Sequence, residues 1–197
     1  YNTFVGAEAG KGGTTSAPYS SGTSNVAMGY QALAGFTTAD QNVAIGYGAG
    51  DAVTTGNNNI NVGANAGGAI TSGTENVNIG NSAGKDLTDT NYNTFVGNAA
   101  GYTSDKSYGT YVGHNAGLYM DDGDYNTAIG AWAMRGTGDG SDAAANVAIG
   151  YRAGRQMTDG DYNIIIGYEA GDALTTNNAN ILVGYQAGKV ITTQSST

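Results

Sequence analysis

The sequence predicts an all-β fold: a parallel β-solenoid (β-roll) of about eleven coils of about 17 residues, forming one repeat domain over residues 1–197. Three observations support this prediction. A short phrase recurs along the whole chain, its copies are almost evenly spaced, and side-chain character alternates with period two inside each copy. Because stacked strands lie about 4.8 Å apart, eleven coils predict a rod about 50 Å long.

The recurring phrase reads Asn, two residues, a branched aliphatic residue, Gly, two residues, Ala, Gly. Clear copies are QNVAIGYGAG at 41–50, ANVAIGYRAG at 145–154, YNIIIGYEAG at 162–171 and NILVGYQAG at 180–188. Seven of the ten spacings between copies are 17 residues, and the others are 23, 16 and 20. This unit is shorter than helical repeats of about 33 residues or propeller blades of about 40, and it has room for two short strands and two turns. The first glycines of the copies are Gly6, Gly29, Gly46, Gly63, Gly80, Gly97, Gly113, Gly130, Gly150, Gly167 and Gly184.

Within a copy, the two faces of the predicted strand differ in side-chain size. Val43 and Ile45 share one face, whereas Asn42, Ala44 and Gly46 share the other. We expect a strand packed on both sides, with the flat Ala and Gly face in tight contact with another subunit. A further apolar residue, three positions after the second Gly, is expected to close the interior from a second strand. It is Val53, Ile70, Leu87, Met120, Met157 or Leu174 in successive examples.

Composition argues against several classes of function. The chain has no cysteine and only one histidine, and no recognisable nucleophile or phosphate-binding motif stands in it, so we expect no enzyme activity. A net charge of −9 with only seven Lys and Arg disfavours nucleic acid as a partner, because phosphates are bound by basic side chains. No segment reaches the ~20 apolar residues of a membrane span, so no membrane insertion is expected.

The predicted core is thin, since a 17-residue coil encloses only a column of a few aliphatic side chains. Small cores without disulfides usually need oligomerisation for stability. We therefore expect a homo-oligomer, with three copies around an axis covering the lateral surfaces.

The phrase also resembles repeats of known fibrous proteins. Asn followed by VAIG resembles the head domain of YadA-type trimeric autotransporter adhesins, whose motif is Asn-Ser-Val-Ala-Ile-Gly. The longer stretches VAIGYGAGDAVTTGNNN at 43–59 and IIIGYEAGDALTTNNAN at 164–180 are similar to repeats in tail-fibre proteins of bacteriophages. The resemblance implies a left-handed parallel β-roll, assembled as a homotrimer in an extracellular fibre.

Two departures favour the phage type of fibre over the adhesin. Ser is absent after Asn, and the 17-residue period is longer than the usual unit of the adhesin head. Because the chain opens inside a copy of the phrase, we expect it to be a segment of a longer fibre.

Two insertions interrupt the repeat, and such departures are where binding function is most often found. The first, at 11–24, carries Pro18 and Tyr19. The second, at 131–145, carries Trp132 and Arg135 and has Met134 in place of the second Gly. A Trp near an Arg is a candidate contact for a sugar ring or a receptor. The alternative is that Trp132 fills a gap left by the irregular coil.

Tyrosines recur at equivalent places and are expected to stack from coil to coil as ladders. An exposed ladder could bind glycans, or the stacking could serve stability alone. Tyr30, Tyr47, Tyr151, Tyr168 and Tyr185 follow the first Gly, and Tyr92, Tyr125 and Tyr162 precede the Asn. The binding candidates are Trp132, Arg135, Tyr19, Tyr151, Tyr168 and Tyr185.

Acidic residues gather in three successive connections, where stacking brings like charges together. A bound Ca²⁺ would relieve their repulsion, although neither an EF-hand loop nor the Gly-Gly-x-Gly-x-Asp nonapeptide is present. The alternative is that these are solvated turns that deter aggregation. The metal candidates are Asp121, Asp122, Asp124, Asp159 and Asp161.

The sequence thus predicts a structural and surface-binding segment of a trimeric extracellular fibre, which attaches to a host cell through a glycan or protein receptor. A bacterial adhesin head and a purely architectural filament are the alternatives. Adjacent Thr pairs such as Thr54–Thr55 suggest an ice-binding solenoid only weakly, because adjacent strand residues point to opposite faces.

Overall fold

A computed structural model describes residues 1–13, 20–121, 123–138 and 140–191. It contains one parallel sheet of eleven strands, whose order in the sheet is their order in the chain. The prediction of an all-β parallel β-solenoid is therefore confirmed. The strands are β1 (Thr3–Val5), β2 (Val26–Met28), β3 (Val43–Ile45), β4 (Ile60–Val62), β5 (Val77–Ile79), β6 (Thr94–Val96), β7 (Thr110–Val112), β8 (Thr127–Ile129), β9 (Val147–Ile149), β10 (Ile164–Ile166) and β11 (Ile181–Val183).

Equivalent residues of successive copies lie directly above one another. Val43 of β3 pairs with Ile60 of β4, and Ile45 pairs with Val62. The ladder continues beyond the strands, because Gly50 N donates to Ala66 O over 2.9 Å in the turn that follows. Most of the coil backbone is thus paired with the coils above and below.

Each copy contributes one strand, so the prediction of two strands per coil is wrong. Strongly curved turns replace the second strand, because several residues in each coil adopt positive φ. Gly46 has φ 136°, Gly50 has φ 54° and Asn58 has φ 58°. Along the described residues, no helix is long and apolar enough to cross a bilayer.

The corner after each strand requires glycine for two reasons. The φ of Gly46 lies in a region that side chains rarely adopt. A Cβ on Gly46 would also lie only 2.5 Å from the carbonyl oxygen of Gly63 in the next coil. Strain and close backbone approach therefore act together at this position.

The structure corrects the predicted orientation of the strand. Ala44, at the centre of β3, is fully buried inside the coil, whereas Val43 and Ile45 point outward and are only half-buried. The Ala and Gly face therefore closes the interior and is not available to another subunit. A narrow coil leaves room only for the smaller face. The apolar column predicted to close the core is fully buried at Val53, Ile70, Leu87, Met120, Met157 and Leu174.

A ladder of buried asparagines runs along the rod beside this core. Oδ1 of Asn42 accepts from the backbone N of Asn59 at 2.9 Å and from its Nδ2 at 3.1 Å. Nδ2 of Asn59 also donates to Gly73 O at 2.8 Å. The Asn of the phrase thus satisfies both its own amide and the backbone of the next copy.

The asparagine ladder is interrupted at Gly109. The neighbouring coils supply the missing polar contacts, since Gly109 N donates to Asn93 Oδ1 over 2.8 Å. On the other side, the buried hydroxyl of Tyr111 is hydrogen-bonded to Asn126 and to Ser104. Gly109 and Tyr111 together therefore supply the polar contacts across the gap in the ladder.

Candidate binding site

Aromatic side chains form stacked columns over parts of the rod. The leading tyrosine column consists of Tyr92, Tyr108 and Tyr125, with ring centroids 5.2 and 5.1 Å apart and nearly parallel planes. The sequence analysis did not place Tyr108 in this column, because Gly109 replaces the Asn that follows the other tyrosines. Tyr125 is 61% exposed, so this column lies on the surface.

A second column follows the glycine corner. The trailing aromatic column consists of His114, Trp132, Tyr151, Tyr168 and Tyr185. Tyr151 stacks on Tyr168 with centroids 5.1 Å apart, and Tyr168 stacks on Tyr185 at 5.6 Å. Three of the predicted binding residues thus form one stack.

Trp132 belongs to this surface column and does not fill the interior of its coil. Its ring centroid lies 5.9 Å from that of Tyr151 and 6.4 Å from that of His114. The interior of the coil is occupied by Ala128, Ala133 and Met134, which are all fully buried. Met134, which stands in place of the second Gly, therefore fills the interior of this coil, and Trp132 does not.

The insertion at 131–145 projects from the rod at Gly138 and Gly140, whereas Ala133, Met134 and Ala143 are buried. A Cβ built on Gly138 or Gly140 would meet no heavy atom within 4 Å. This coil is 20 residues long, and the extra residues are accommodated without breaking the ladder: Val147 pairs with Thr127.

All three arginines of the chain line one cavity beside Trp132. The cavity has a volume of about 340 Å³ and is lined by Asn115, Trp132, Arg135, Arg152 and Arg155. We call it the arginine pocket. Arg152 lies over the Trp132 ring, with its guanidinium carbon 4.7 Å from the ring centroid, and over the Tyr151 ring at 5.1 Å. Arg135 lies over the Tyr119 ring at 5.4 Å.

The three guanidinium groups differ in how far neighbouring carboxylates neutralise them. Arg155 forms a bidentate ion pair with Asp172, at 2.7 and 3.2 Å, and this partner raises the pKa of Arg155. The contact between Arg152 and Glu169 is longer, with Nη1 of Arg152 3.7 Å from Oε1 of Glu169. Within the part of the chain that the structure describes, Arg135 forms no ion pair with a carboxylate.

The Glu169 carboxylate interacts with Lys189 and Gln186 as well as with Arg152. It accepts from Lys189 Nζ at 2.5 Å and from Gln186 Nε2 at 2.9 Å. These hydrogen bonds, from Lys189 first and then Gln186, lower the pKa of Glu169. Glu169 therefore lies closer to Lys189 and Gln186 than to Arg152.

The structure brings the predicted Trp132 and Arg135 together in the arginine pocket, with Tyr151 next to it. Arg152, Arg155 and Asn115 were missed. A signal was present, since Arg135 and Arg155 are 20 residues apart, which is the local coil length between Gly130 and Gly150. Tyr19 lies outside the described residues.

The predicted metal residues are used within the turns. Asp124 accepts from Ser107 N at 3.0 Å, and Asp161 accepts from Ala144 N at 2.8 Å. Asp121 accepts from Gly140 N and from the Thr103 hydroxyl, and Asp159 accepts from the Thr158 hydroxyl. Asp122 lies outside the described residues. Among those that are described, no three acidic or histidine side chains are grouped to hold a metal ion.

A second, open groove lies along the polar turns. Its volume is about 440 Å³, and Asp89, Asp105 and Asp124 are among the residues that line it. Asp89 accepts from the Thr71 and Ser72 hydroxyls, which lower its pKa, and Asp105 accepts from Thr88. These carboxylates connect adjacent turns of the rod.

Comparison of the chain with protein-family models, with curated proteins and with solved structures finds no match.

Proposed function

We propose that the chain is a structural and surface-binding segment of an extracellular fibre of the phage tail-fibre type, in which three copies of a left-handed β-roll assemble around a common axis. Attachment is multivalent: three identical surfaces engage a host cell surface together, so that weak individual contacts add through effective concentration.

One observation carries the proposal of self-assembly. The parallel sheet has one face packed on the core and the other open to solvent, whereas parallel sheets are normally covered on both faces. The open side, which we call the aliphatic face, presents two columns of mainly β-branched side chains. Its most exposed members, between 36% and 73% exposed, are Val5, Met28, Ile60, Ile79, Ile129, Ile149, Ile164, Ile181 and Val183.

The length and the repeat of the aliphatic face suit an interface with further copies of the chain. Ten intervals of about 4.8 Å make the face about 48 Å long, and three residues at about 3.3 Å make it about 10 Å wide. The resulting area of about 480 Å² is smaller than the roughly 800 Å² that each partner buries in a stable complex, so the interface would also include side chains of the turns beside the strands. Another copy of the rod matches the length and the repeat of this face, so its columns coincide with their own equivalents.

Mass measurement in solution tests the assembly. We expect three times the chain mass of 19.8 kDa. Ile60→Lys, on the aliphatic face, should dissociate the assembly, because an unpaired charge is costly in an apolar interface. Thr38→Lys adds the same charge at an exposed position elsewhere in a turn and should leave the mass unchanged. A wild-type protein that stays at 19.8 kDa at all concentrations would refute the assembly.

The surface-binding part of the proposal is supported by the two aromatic columns and the arginine pocket. Stacked tyrosines and a Trp beside arginines offer flat faces and charged hydrogen-bond donors, which are the groups that sugars and protein receptors engage. The assembled protein should therefore adhere to intact host cells or to a glycan array. A trimer that binds neither would favour the architectural filament, in which the rod only spans distance. An adhesin head remains the alternative among binding fibres.

A further inference from the structure

Positive charge on this acidic rod is concentrated at one place. The chain has a net charge of −9 and seven Lys and Arg residues in all. Its three arginines come from two successive coils and line the same pocket with the only tryptophan. Arg152 and Arg155 occupy the second and fifth positions after the corner Gly150, and Trp132 and Arg135 occupy those positions after Gly130. The stacking of coils therefore assembles this site from equivalent positions.

Two polar groups of the pocket residues lack a hydrogen-bond partner. Trp132 Nε1 and Arg152 Nε are both shielded from solvent and unpaired within the protein. An unpaired buried N–H is destabilising, so two of them together are unusual in a region otherwise ordered by ladders. Solvent does not reach either atom, so a ligand in the pocket would instead contact the accessible parts of the guanidinium groups, whose side chains are 31% exposed at Arg152 and 25% exposed at Arg155.

We propose that the arginine pocket binds one acidic sugar unit, a monosaccharide that carries a carboxylate, within a host surface polysaccharide. Guanidinium groups bind carboxylates through paired, charge-assisted hydrogen bonds, and Arg135 is available for this because no described carboxylate is paired with it. Arg152 and Trp132 form the adjoining wall, and Asn115 adds an amide that can bond hydroxyls.

Size and composition favour a sugar over a bare anion or a peptide. The volume of about 340 Å³ is near the lower end of the range of about 300–1,000 Å³ for small-molecule sites. Such a space accommodates one ring with its substituents. Because Arg152 and His114 lie against the Trp132 ring, the guanidinium groups and the Asn115 amide, and not the ring face, would recognise the carboxylate and the hydroxyls of the sugar. This inference names the ligand class of the proposed surface-binding fibre and rests on that proposed function.

The single tryptophan provides a direct measurement. Excitation at 295 nm reports only Trp132, which lies in the pocket. We expect oligosaccharides that contain glucuronate to change its emission saturably, whereas the corresponding glucose oligosaccharides should not. A third arm with a sulfated glucose oligosaccharide distinguishes carboxylate recognition from general attraction of anions. Equal affinity for the sulfated sugar would overturn the assignment to a carboxylate.

Two variants with the same change of charge localise the effect. Arg135→Gln should weaken glucuronate binding about tenfold or more, as expected for the loss of a charge-assisted hydrogen bond. Lys85→Gln alters the equivalent fifth position after Gly80, outside the pocket, and should change binding by less than about twofold. Equal losses in both variants would mean nonspecific electrostatics and would overturn the site. No saturable response to any acidic probe would do the same.

Measuring the mass of the same samples separates the test of the arginine pocket from the test of the fibre assembly. A trimer that adheres to cells but shows no response at Trp132 would refute the pocket alone. A monomer that binds glucuronate would refute the fibre assembly and keep the pocket. If Arg135→Gln instead dissociated the assembly, the pocket would hold a carboxylate of another copy, and the sugar proposal would be wrong.

Discussion

Gly101 and Phe95 share one interior volume: a Cβ placed on Gly101 would lie 2.5 Å from Cε2 of the Phe95 ring. The same two positions are exchanged in another coil, where the small Ala27 stands at the strand centre and the large Leu33 replaces the glycine. Leu33 is fully buried and adopts φ 53°, so the backbone accepts a side chain there when the strand residue is small. The interior volume of a coil is thus divided between these two positions.

This exchange predicts a compensating pair of substitutions. Phe95→Ala should lower the free energy of unfolding by about 3–5 kcal/mol, because it leaves a cavity in a narrow core. Adding Gly101→Leu to that variant should recover at least about 1 kcal/mol, since the new side chain refills the space. Denaturant unfolding at one protein concentration measures both values. Gly101→Leu alone should be destabilising, and an equal loss from it in both backgrounds would contradict the shared volume.

The corner glycines predict a second set of effects, in which strain and steric clash can be separated. Gly46→Ala should be the most destabilising of three substitutions, because Gly46 combines φ 136° with a close carbonyl of the next coil. Gly184→Ala has the same kind of strain, at φ 130°, but its Cβ would meet no heavy atom within 4 Å. Its cost should be about 1–3 kcal/mol, the value for a residue held in a sparsely populated region.

Gly138→Ala is the control for this series, since Gly138 has open space around it and its φ lies outside the left-handed region. It should change the melting temperature little or raise it slightly, because alanine reduces the freedom of the unfolded chain. The expected order of stability is therefore Gly138→Ala above Gly184→Ala above Gly46→Ala. A Gly184 variant as unstable as the Gly46 variant would show that strain alone accounts for the corner.

Much of the architecture follows from the sequence, because a fixed spacing forces equivalent residues into columns. The orientation of the strand was predicted wrongly, because period-two alternation separates two faces without telling which one faces inward. The narrow diameter of the coil decides this, and it places Ala44 inside and Ile45 outside. The arginine pocket was found only in part. Its residues lie up to 40 positions apart, from Asn115 to Arg155, and they meet only when coils of unequal length are aligned.

A third prediction concerns two asparagines inside the core. Asn61 and Asn78 occupy the central strand position in neighbouring coils, and Asn78 Nδ2 donates to Asn61 Oδ1 over 2.9 Å. Asn61 Nδ2 and Asn78 Oδ1 have no partner. Leucine stands at the equivalent position Leu182, so Asn61→Leu with Asn78→Leu should be neutral or stabilising. Either single substitution should cost about 0.5–1.5 kcal/mol, because it removes the hydrogen bond between the two amides while two buried polar atoms remain unpaired.

A double-mutant cycle on the unfolding free energy tests this pair. The double variant should be more stable than the sum of the two single effects predicts. Strict additivity would mean that the two amides do not act as a unit. In that case a feature other than their mutual hydrogen bond would hold each of them in the core.

A fourth prediction separates the turn role of Asp161 from metal binding. Asp161 accepts from the backbone of Ala144, and Asn178 does the same for Asp161 N at 2.7 Å in the next coil. Because an amide oxygen serves there, Asp161→Asn should keep the melting temperature. Asp161→Ala should cost about 0.5–1.5 kcal/mol through the lost hydrogen bond. If Ca²⁺ were bound by Asp161, a chelator would lower the melting temperature of the wild type and the Asn variant would be destabilised as well.

The fifth prediction is a dependence of stability on alkaline pH that comes from Tyr111. Its phenol is fully buried, and this loss of hydration raises its pKa well above the usual value, against the opposing hydrogen bonds from Asn126 and Ser104. The neutral form carries the proton, and the unfolded chain releases it at about pH 10. The contribution of Tyr111 to the free energy of unfolding is therefore fully present below about pH 10. Above that pH it falls by up to about 1.4 kcal/mol per pH unit.

Unfolding free energies from pH 8 to 11.5 should fall more steeply for the wild type than for Tyr111→Phe. Because the exposed tyrosines titrate in both proteins, the difference between the two slopes isolates the buried phenol, and equal slopes would show that Tyr111 ionises in the folded rod as it does in the unfolded chain.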